Sequence, residues 1–202
     1  MPRLNPVRLV AIYGHTHQGP ENLRHISRLL ELLRERGIAI MTERVFACYL
    51  TSEGVSLMPS EVTGPPPSGA GAAISIGGDG TFLRTARWIG RRQIPVLGIN
   101  TGHLGFLASY TPAESAELVE MLYTGHADVQ ERTALRVDTG AACATPPDLP
   151  YALNEVAILK EETASMLNVH VDLSGHYLAD YLADGLLIST PTGSTGYSLS
   201  VG

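Results

Sequence analysis

The chain has 202 residues, 44% of them hydrophobic and 17% charged, and its 14 basic and 20 acidic side chains give a net charge of −6. That length supports one large or two small domains with a sizeable core, and with Lys160 the only lysine there is no basic block of the kind that grips nucleic acid. Cys48 and Cys143 stand apart with no metal or redox spacing, and the apolar run in MPRLNPVRLVAIYG is too short to be a signal or to span a membrane. These features predict a cytoplasmic protein with no nucleic-acid or membrane partner.

The first predicted element is VRLVAIY (7–13), a continuous β-branched apolar run that reads as a strand buried on both faces. Leu23, Ile26, Leu29, Leu30 and Leu33 then recur at helical spacing, with Arg24, Arg28, Glu31, Arg34 and Glu35 between them, so an amphipathic helix of about four turns follows. Gly37 ends it and IAI (38–40) resumes as strand. AAISI (72–76), a helix over 81–90 and IPVLGI (94–99) repeat the alternation, and Pro112–Tyr123 supplies a further helix. Strand alternating with helix predicts a parallel, Rossmann-like α/β sheet. The Gly/Pro-rich stretch 54–72 reads as a flexible surface loop, a candidate lid.

After about residue 125 the texture changes. RTALRVD (132–138), YALNEVAIL (151–159), LNVHVDLSG (167–175) and HYLADYLADGLLIST (176–190) read as strands, and the alternation in NVHVDL gives one wet and one dry face, as in an antiparallel sheet. We therefore expect an α/β domain over 1–125 and a β-rich, sandwich-type domain over 126–202. The ending YSLSVG closes no strand, so the second domain is expected to be incomplete and the chain to be part of a longer protein.

The chemistry concentrates in ISIGGDGTFLRTAR (74–87). Strand AAISI delivers the backbone to a turn from which a helix starts, and Gly77, Gly78 and Gly80 leave room for phosphates to approach main-chain N–H groups and the positive helix end. Asp79 is the anomaly, because a carboxylate repels phosphate. It fits as the acceptor of a proton from an attacking hydroxyl, or as a holder of a metal ion bridging the phosphates; otherwise the turn is only a helix cap. The usual dinucleotide fingerprint G-x-G-x-x-G is absent. GHTHQG (14–19) has glycines at P-loop spacing but continues Pro20-Glu21 instead of Lys-Ser/Thr, and is read as a decoy.

Three further stretches lean the same way. NTGHLGFL (100–107) follows strand IPVLGI, on the sheet edge that carries Asp79, where Phe106 lies against a base ring or, with Leu104, fills the core beneath the loop. Asn154-Glu155 interrupts an apolar run, which is costly unless the pair is hydrogen-bonded or faces a ligand. STPTGSTGYSLS (189–200) offers many hydroxyls and N–H groups to a nucleotide, or is an ordinary polar turn. His103, His126, His170 and His176 show no ligand spacing and read as ordinary surface or loop residues.

Taken together, GGDGTFLR (77–84), NTGHLGFL (100–107), LNEV (153–156) and DGLLISTPTGSTGYSLS (184–200) resemble the NAD kinases, in that family's order. The GGDGT element alone is also similar to turns in 6-phosphofructokinases and in diacylglycerol and sphingosine kinases; the DG-x-x-x-STPTGST-x-Y element is the specific one. The resemblance implies transfer of a phosphoryl group from ATP or polyphosphate, with Mg²⁺ or another divalent cation, to the adenosine ribose 2′-hydroxyl of NAD, giving NADP. By it Asp79 accepts the hydroxyl proton, Gly77, Gly78, Gly80 and Thr81 shape the turn, and Arg84 contacts nucleotide. Phe106 flanks adenine, Asn154 and Glu155 bind adenine and ribose groups, and Asp184 reaches across a subunit interface of a homodimer or homotetramer. Thr192, Thr195, Gly196, Tyr197 and Ser200 line the dinucleotide pocket. Gly196 stands where many members carry alanine, and Leu182 and Ala183 where a basic residue and a glycine are frequent. The alternatives are a lipid or sugar kinase built on the same turn and a non-catalytic dinucleotide-binding protein.

Overall fold

The structure, a computed structural model, describes residues 2–102, 105–140, 151–161 and 165–201. It divides into two compact units, Met1–Glu131 and Arg132–Gly202.

The first unit is a parallel sheet with the strand order β3-β2-β1-β4-β5, built from β1 (Leu9–Gly14), β2 (Ala39–Glu43), β3 (Val62–Thr63), β4 (Ala72–Ile76) and β5 (Val96–Ile99). The order turns back between β1 and β4: the chain moves outward through β2 and β3, then returns to the other side of β1. Strand periodicity sorts the two faces. Val10, Ile12, Ala72, Ile74 and Ile76 join the main core, whereas Ala11 and Ala73 face a second cluster with Ile89. The large side chains meet α1 (Pro20–Glu35) through Ile26, Leu29, Leu30 and Leu33, and α4 (Ser115–Thr124) through Leu118, Val119 and Leu122. Each fully buried isoleucine or leucine contributes about 1.5–3 kcal/mol by leaving water. The alanines let α3 (Asp79–Ile89) approach the opposite face, where Trp88 and Val96 each pack against this second cluster.

Two parts of this unit differ from the sequence expectation. A helix, α2 (Arg44–Ser52), starts directly after β2; its N-cap is Glu43, whose carboxylate accepts the Phe46 N–H at 3.0 Å. The 54–72 stretch, expected as a flexible surface loop and candidate lid, carries a 3-10 turn at Pro59–Glu61 and the edge strand β3. Glu61 is buried and takes a forked pair of hydrogen bonds from Arg34 of α1 (Nε–Oε1 2.9 Å, NH2–Oε2 2.7 Å), and the Met58 N–H donates to Oε2 at 2.9 Å. The Arg34 bond holds the Glu61 carboxyl below its ordinary value, against burial, which pushes it up.

In the second unit the strands pair antiparallel, as β6 (Leu135–Arg136) with β7 (Tyr151–Ala152), β8 (Glu155–Leu159) with β11 (Gly185–Ser189), and β9 (Leu167–Leu173) with β10 (His176–Ala183). Along β9 the side chains alternate between half-buried Leu167, Val169 and Val171 and exposed Asn168, His170 and Asp172, as NVHVDL predicted. YALNEVAIL does not run as one strand: it breaks at Leu153-Asn154. HYLADYLADGLLIST divides at Asp184, and of RTALRVD only Leu135–Arg136 is strand. His170 is tied to Asp180, with Nδ1 2.6 Å from Oδ1, and Leu104 and His103 lie outside the described residues. No helix among the described residues is long and apolar enough to cross a membrane.

Candidate active site

In the first unit the turn after β4 is set by Gly77. Its φ is +152°, and a Cβ there would collide with the Thr81 hydroxyl, so no other residue fits. Of the three glycines in this turn, only Gly77 has a positive φ. Gly78 and Gly80 border open space instead, with nothing within 4 Å of where a Cβ would stand, which leaves their side of the helix start open to an approaching anion. Thr81 is buried inside the turn.

Asp79 opens α3 but does not cap it. Its carboxylate reaches out to the loop after β5. Oδ2 accepts the Phe106 N–H at 2.8 Å; Oδ1 accepts those of Leu107 at 3.0 Å and Ala108 at 3.4 Å. The contact depends on Gly105, where a Cβ would overlap that carboxylate. The loop closes on itself through Asn100 N–H to Tyr110 O at 2.7 Å and Tyr110 N–H to Gly98 O at 3.0 Å. A carboxylate offers about four lone-pair sites, so three amides leave Asp79 room for one more donor. Phe106 is 83% exposed, which excludes the core reading for its ring, and Arg84 lies exposed one helical turn beyond the glycines.

In the second unit the break at Leu153-Asn154 is held by Thr190, a residue the sequence reading passed over. Its buried hydroxyl donates to Leu153 O at 2.5 Å and accepts the Gly193 N–H at 3.1 Å, while its own N–H donates to Asn154 O at 2.8 Å. Gly196 comes next to the polar pair: a Cβ there would stand 3.4 Å from Glu155 Oε2 and 3.7 Å from Asn154 Nδ2. Asn154 Oδ1 and Glu155 Oε2 are buried with no hydrogen-bond partner among the described residues. Such atoms carry a desolvation cost of about 1–3 kcal/mol each, which a ligand donor would relieve. Thr192 accepts from Arg132 at 3.2 Å; Thr195, Tyr197 and Ser200 are exposed, the last two on α5 (Tyr197–Ser200). Asp184 stands apart from this group, ion-paired at 2.6 Å with Lys160 of the same chain.

The structure thus gathers Gly77, Gly78, Asp79, Gly80, Thr81 and Phe106 at one sheet edge, and Asn154, Glu155, Thr192 and Gly196 around one strand break. Gly105 and Thr190 are the functional-site residues that spacing missed. The only signal for Gly105 is the second glycine of NTGHLG, and for Thr190 a threonine at the end of a strand.

Residues 59–127 match the ATP-NAD kinase N-terminal domain, and residues 153–202 match the ATP-NAD kinase C-terminal domain. The chain belongs to the NAD kinase family. Among its relatives in that family, the NAD kinase of Bacteroides fragilis strain YCH46 is 44% identical over 195 residues, which cover 95% of this chain and 66% of that protein. The NAD kinase of Porphyromonas gingivalis strain W83 is 42% identical over 198 residues, covering 96% and 66%. The chain therefore spans just under two thirds of the length of these NAD kinases. Among solved structures, yeast NADH kinase complexed with NADH superposes with a TM-score of 0.76 at 22% identity, over 98% of this chain and 62% of that one, a likeness of fold. An NAD kinase from Archaeoglobus fulgidus in complex with ATP superposes with a TM-score of 0.64 at 27% identity, over 96% and 65%.

Proposed function

We propose that the protein transfers a phosphoryl group from ATP or inorganic polyphosphate to the adenosine ribose 2′-hydroxyl of NAD, forming NADP. The observation that carries this reading is the Asp79 carboxylate, drawn off its own helix and held by the Phe106, Leu107 and Ala108 amides beside an open glycine turn. Membership of the NAD kinase family supports the choice of acceptor.

The new bond joins the 2′-oxygen to the terminal phosphorus of the donor. The bond from that phosphorus to the bridging oxygen breaks, ADP or a shortened polyphosphate leaves, and the hydroxyl proton passes to Asp79. Phosphoryl transfer needs in-line placement more than strong base chemistry, so a carboxylate fixed by three amides suits the task. Gly77, Gly78, Gly80, Thr81 and Arg84 then serve the phosphates and nucleotide, and Phe106 offers an exposed ring to adenine. Within the second unit, Asn154 Oδ1 and Glu155 Oε2 offer acceptors to adenine and ribose donors, and Thr192, Thr195, Gly196, Tyr197 and Ser200 offer that unit's dinucleotide-lining groups. Among the described residues no three His, Cys, Asp or Glu side chains converge on a cation. A Mg²⁺ or similar ion would accordingly enter on the donor's phosphates, which is how magnesium is usually carried in kinases, and would neutralise their charge. The working protein is cytoplasmic and a homodimer or homotetramer in this reading; Asp184, here satisfied by Lys160, would have to exchange that partner to act across an interface.

The test is NADP formation from NAD with ATP and with polyphosphate, run beside diacylglycerol and fructose 6-phosphate as acceptors. NADP from either donor supports the reading; silence on NAD with turnover of another acceptor overturns it.

A further inference from the structure

The GHTHQG stretch is the motif that the proposed reaction leaves unused. It follows β1, and β1 and β4 are the neighbours between which the strand order reverses. Open α/β sheets take ligands in the crevice outside the carboxyl ends of such strands. Gly14 is in register with Ile76, and the His15 N–H donates to Ile76 O at 2.9 Å. His15 is therefore the next residue out along that edge, about one strand spacing of 4.8 Å from the Gly77 turn. Asn22, in the first turn of α1, donates to Thr101 O at 2.9 Å, which ties the same corner to the loop that Asp79 holds.

The imidazole of His15 is seated by its own loop. Nδ1 lies 3.2 Å from the His17 N–H and 3.3 Å from the His17 carbonyl. Bare, Nδ1 accepts from the first; protonated, it donates to the second. Either way Nε2 is left without a partner among the described residues, and in the neutral ring with Nδ1 accepting, Nε2 carries the N–H. The His17 ring follows at 5.3 Å and is exposed. The loop Gly14–Gly19 itself carries no acid; the first one after it is Glu21, in the first turn of α1.

We infer that the 14–19 loop is the seat of the phosphoryl donor, with His15 Nε2 and His17 donating to the non-bridging oxygens of its phosphate chain in place of the lysine of a P-loop. The inference rests on the kinase reading for the identity of the anion, a phosphoanhydride chain shared by ATP and inorganic polyphosphate. Its place one strand from Asp79 suits in-line transfer, because the terminal phosphorus must lie beside the hydroxyl that Asp79 deprotonates. The N-terminal amides of α1, sixteen residues long, add to the same attraction.

The experiment titrates the protein with magnesium ATP, with tripolyphosphate and with NAD by calorimetry, as wild type and as His15→Gln, His17→Gln and the double variant, and measures NADP formation for each. The double variant is expected to bind ATP and tripolyphosphate about tenfold more weakly, the scale of lost hydrogen bonds to a charged group, with NAD binding and melting temperature unchanged. Because His17 is exposed, the His17→Gln variant folds as wild type and reports even if His15→Gln does not. Loss on ATP alone assigns the loop to the nucleoside and overturns the inference. So does unchanged binding of both anions, failure of the wild type to bind tripolyphosphate, or weakened NAD binding. Wild type that binds tripolyphosphate through His15 yet makes no NADP sinks the kinase reading and leaves the anion site standing; wild type that makes NADP with histidine variants of full donor affinity sinks the site alone.

Discussion

A hydrogen atom at position 105 is what allows the Asp79 carboxylate to reach the amides of the loop after β5: a methyl group there would occupy the space of Oδ1. Gly105→Ala should therefore push the carboxylate and the loop apart. Losing hydrogen bonds to a charged acceptor predicts a destabilisation of about 1–3 kcal/mol and a turnover well below wild type. Adding Asp79→Ala should restore part of the stability, because two residues in contact do not add. Thermal melts of the two single variants and the double variant check this; strict additivity would mean that the pair is not in contact.

Asp79→Asn keeps the size of the side chain but turns one acceptor into an N–H that faces the backbone donors. We expect NAD to bind as before while the rate falls at least about 100-fold, the scale of a lost general base. Calorimetry with NAD beside steady-state turnover decides it, and an unchanged rate would make the acid purely structural.

The Arg34–Glu61 pair predicts an acid limit. Glu61 is held below its ordinary value of 4.5, chiefly by the Arg34 bond. Its contribution to stability is therefore complete above that value, where the unfolded chain is also ionised, and is lost as pH falls through the lower folded value. Urea unfolding at a series of pH values should show wild type losing more stability than Glu61→Gln between about pH 5 and pH 3, while at pH 7 the variant is weaker by about 1–2 kcal/mol. Parallel pH profiles would remove the clamp from the account.

Thr190→Val should cost about 1–3 kcal/mol, since it leaves the Leu153 carbonyl and the Gly193 N–H unpaired inside the strand break. Thr190→Ser should recover most of that loss. Chemical denaturation of the two variants separates the hydroxyl from the methyl; equal losses in both would assign the role to packing.

Asn154→Ala separates binding from folding. Its Oδ1 is buried and unpartnered among the described residues, so removal should leave stability level or raised, while NAD affinity falls about tenfold for one lost buried hydrogen bond. A variant that melts much earlier and binds NAD normally would place Asn154 in the scaffold instead.

The parts of this molecule that sequence discloses are those fixed by local pattern. AAISI is buried at every residue and is a central strand, and the Leu23–Leu33 periodicity lies within α1. The turn was legible because three glycines and an acid between strand and helix have few structural excuses. The rest depended on distance. α2 was missed because no glycine or proline separates it from β2 and a glutamate, an uncommon cap, starts it. The 54–72 stretch read as loose because its anchor, Arg34, lies 27 residues before Glu61. Asp79 is bound to amides 27 to 29 residues further on, and Thr190 to a carbonyl 37 residues earlier. No spacing rule reaches that far, so Gly105 and Thr190 became visible only in three dimensions.

The three amides on Asp79 also bear on how descent is read. A lineage that gave up turnover but kept this architecture would still be selected for an acid at 79, since the neighbouring loop hangs from it. Aspartate at that position in a remote cousin is thus testimony first to a tethered loop, and only afterwards to a living enzyme.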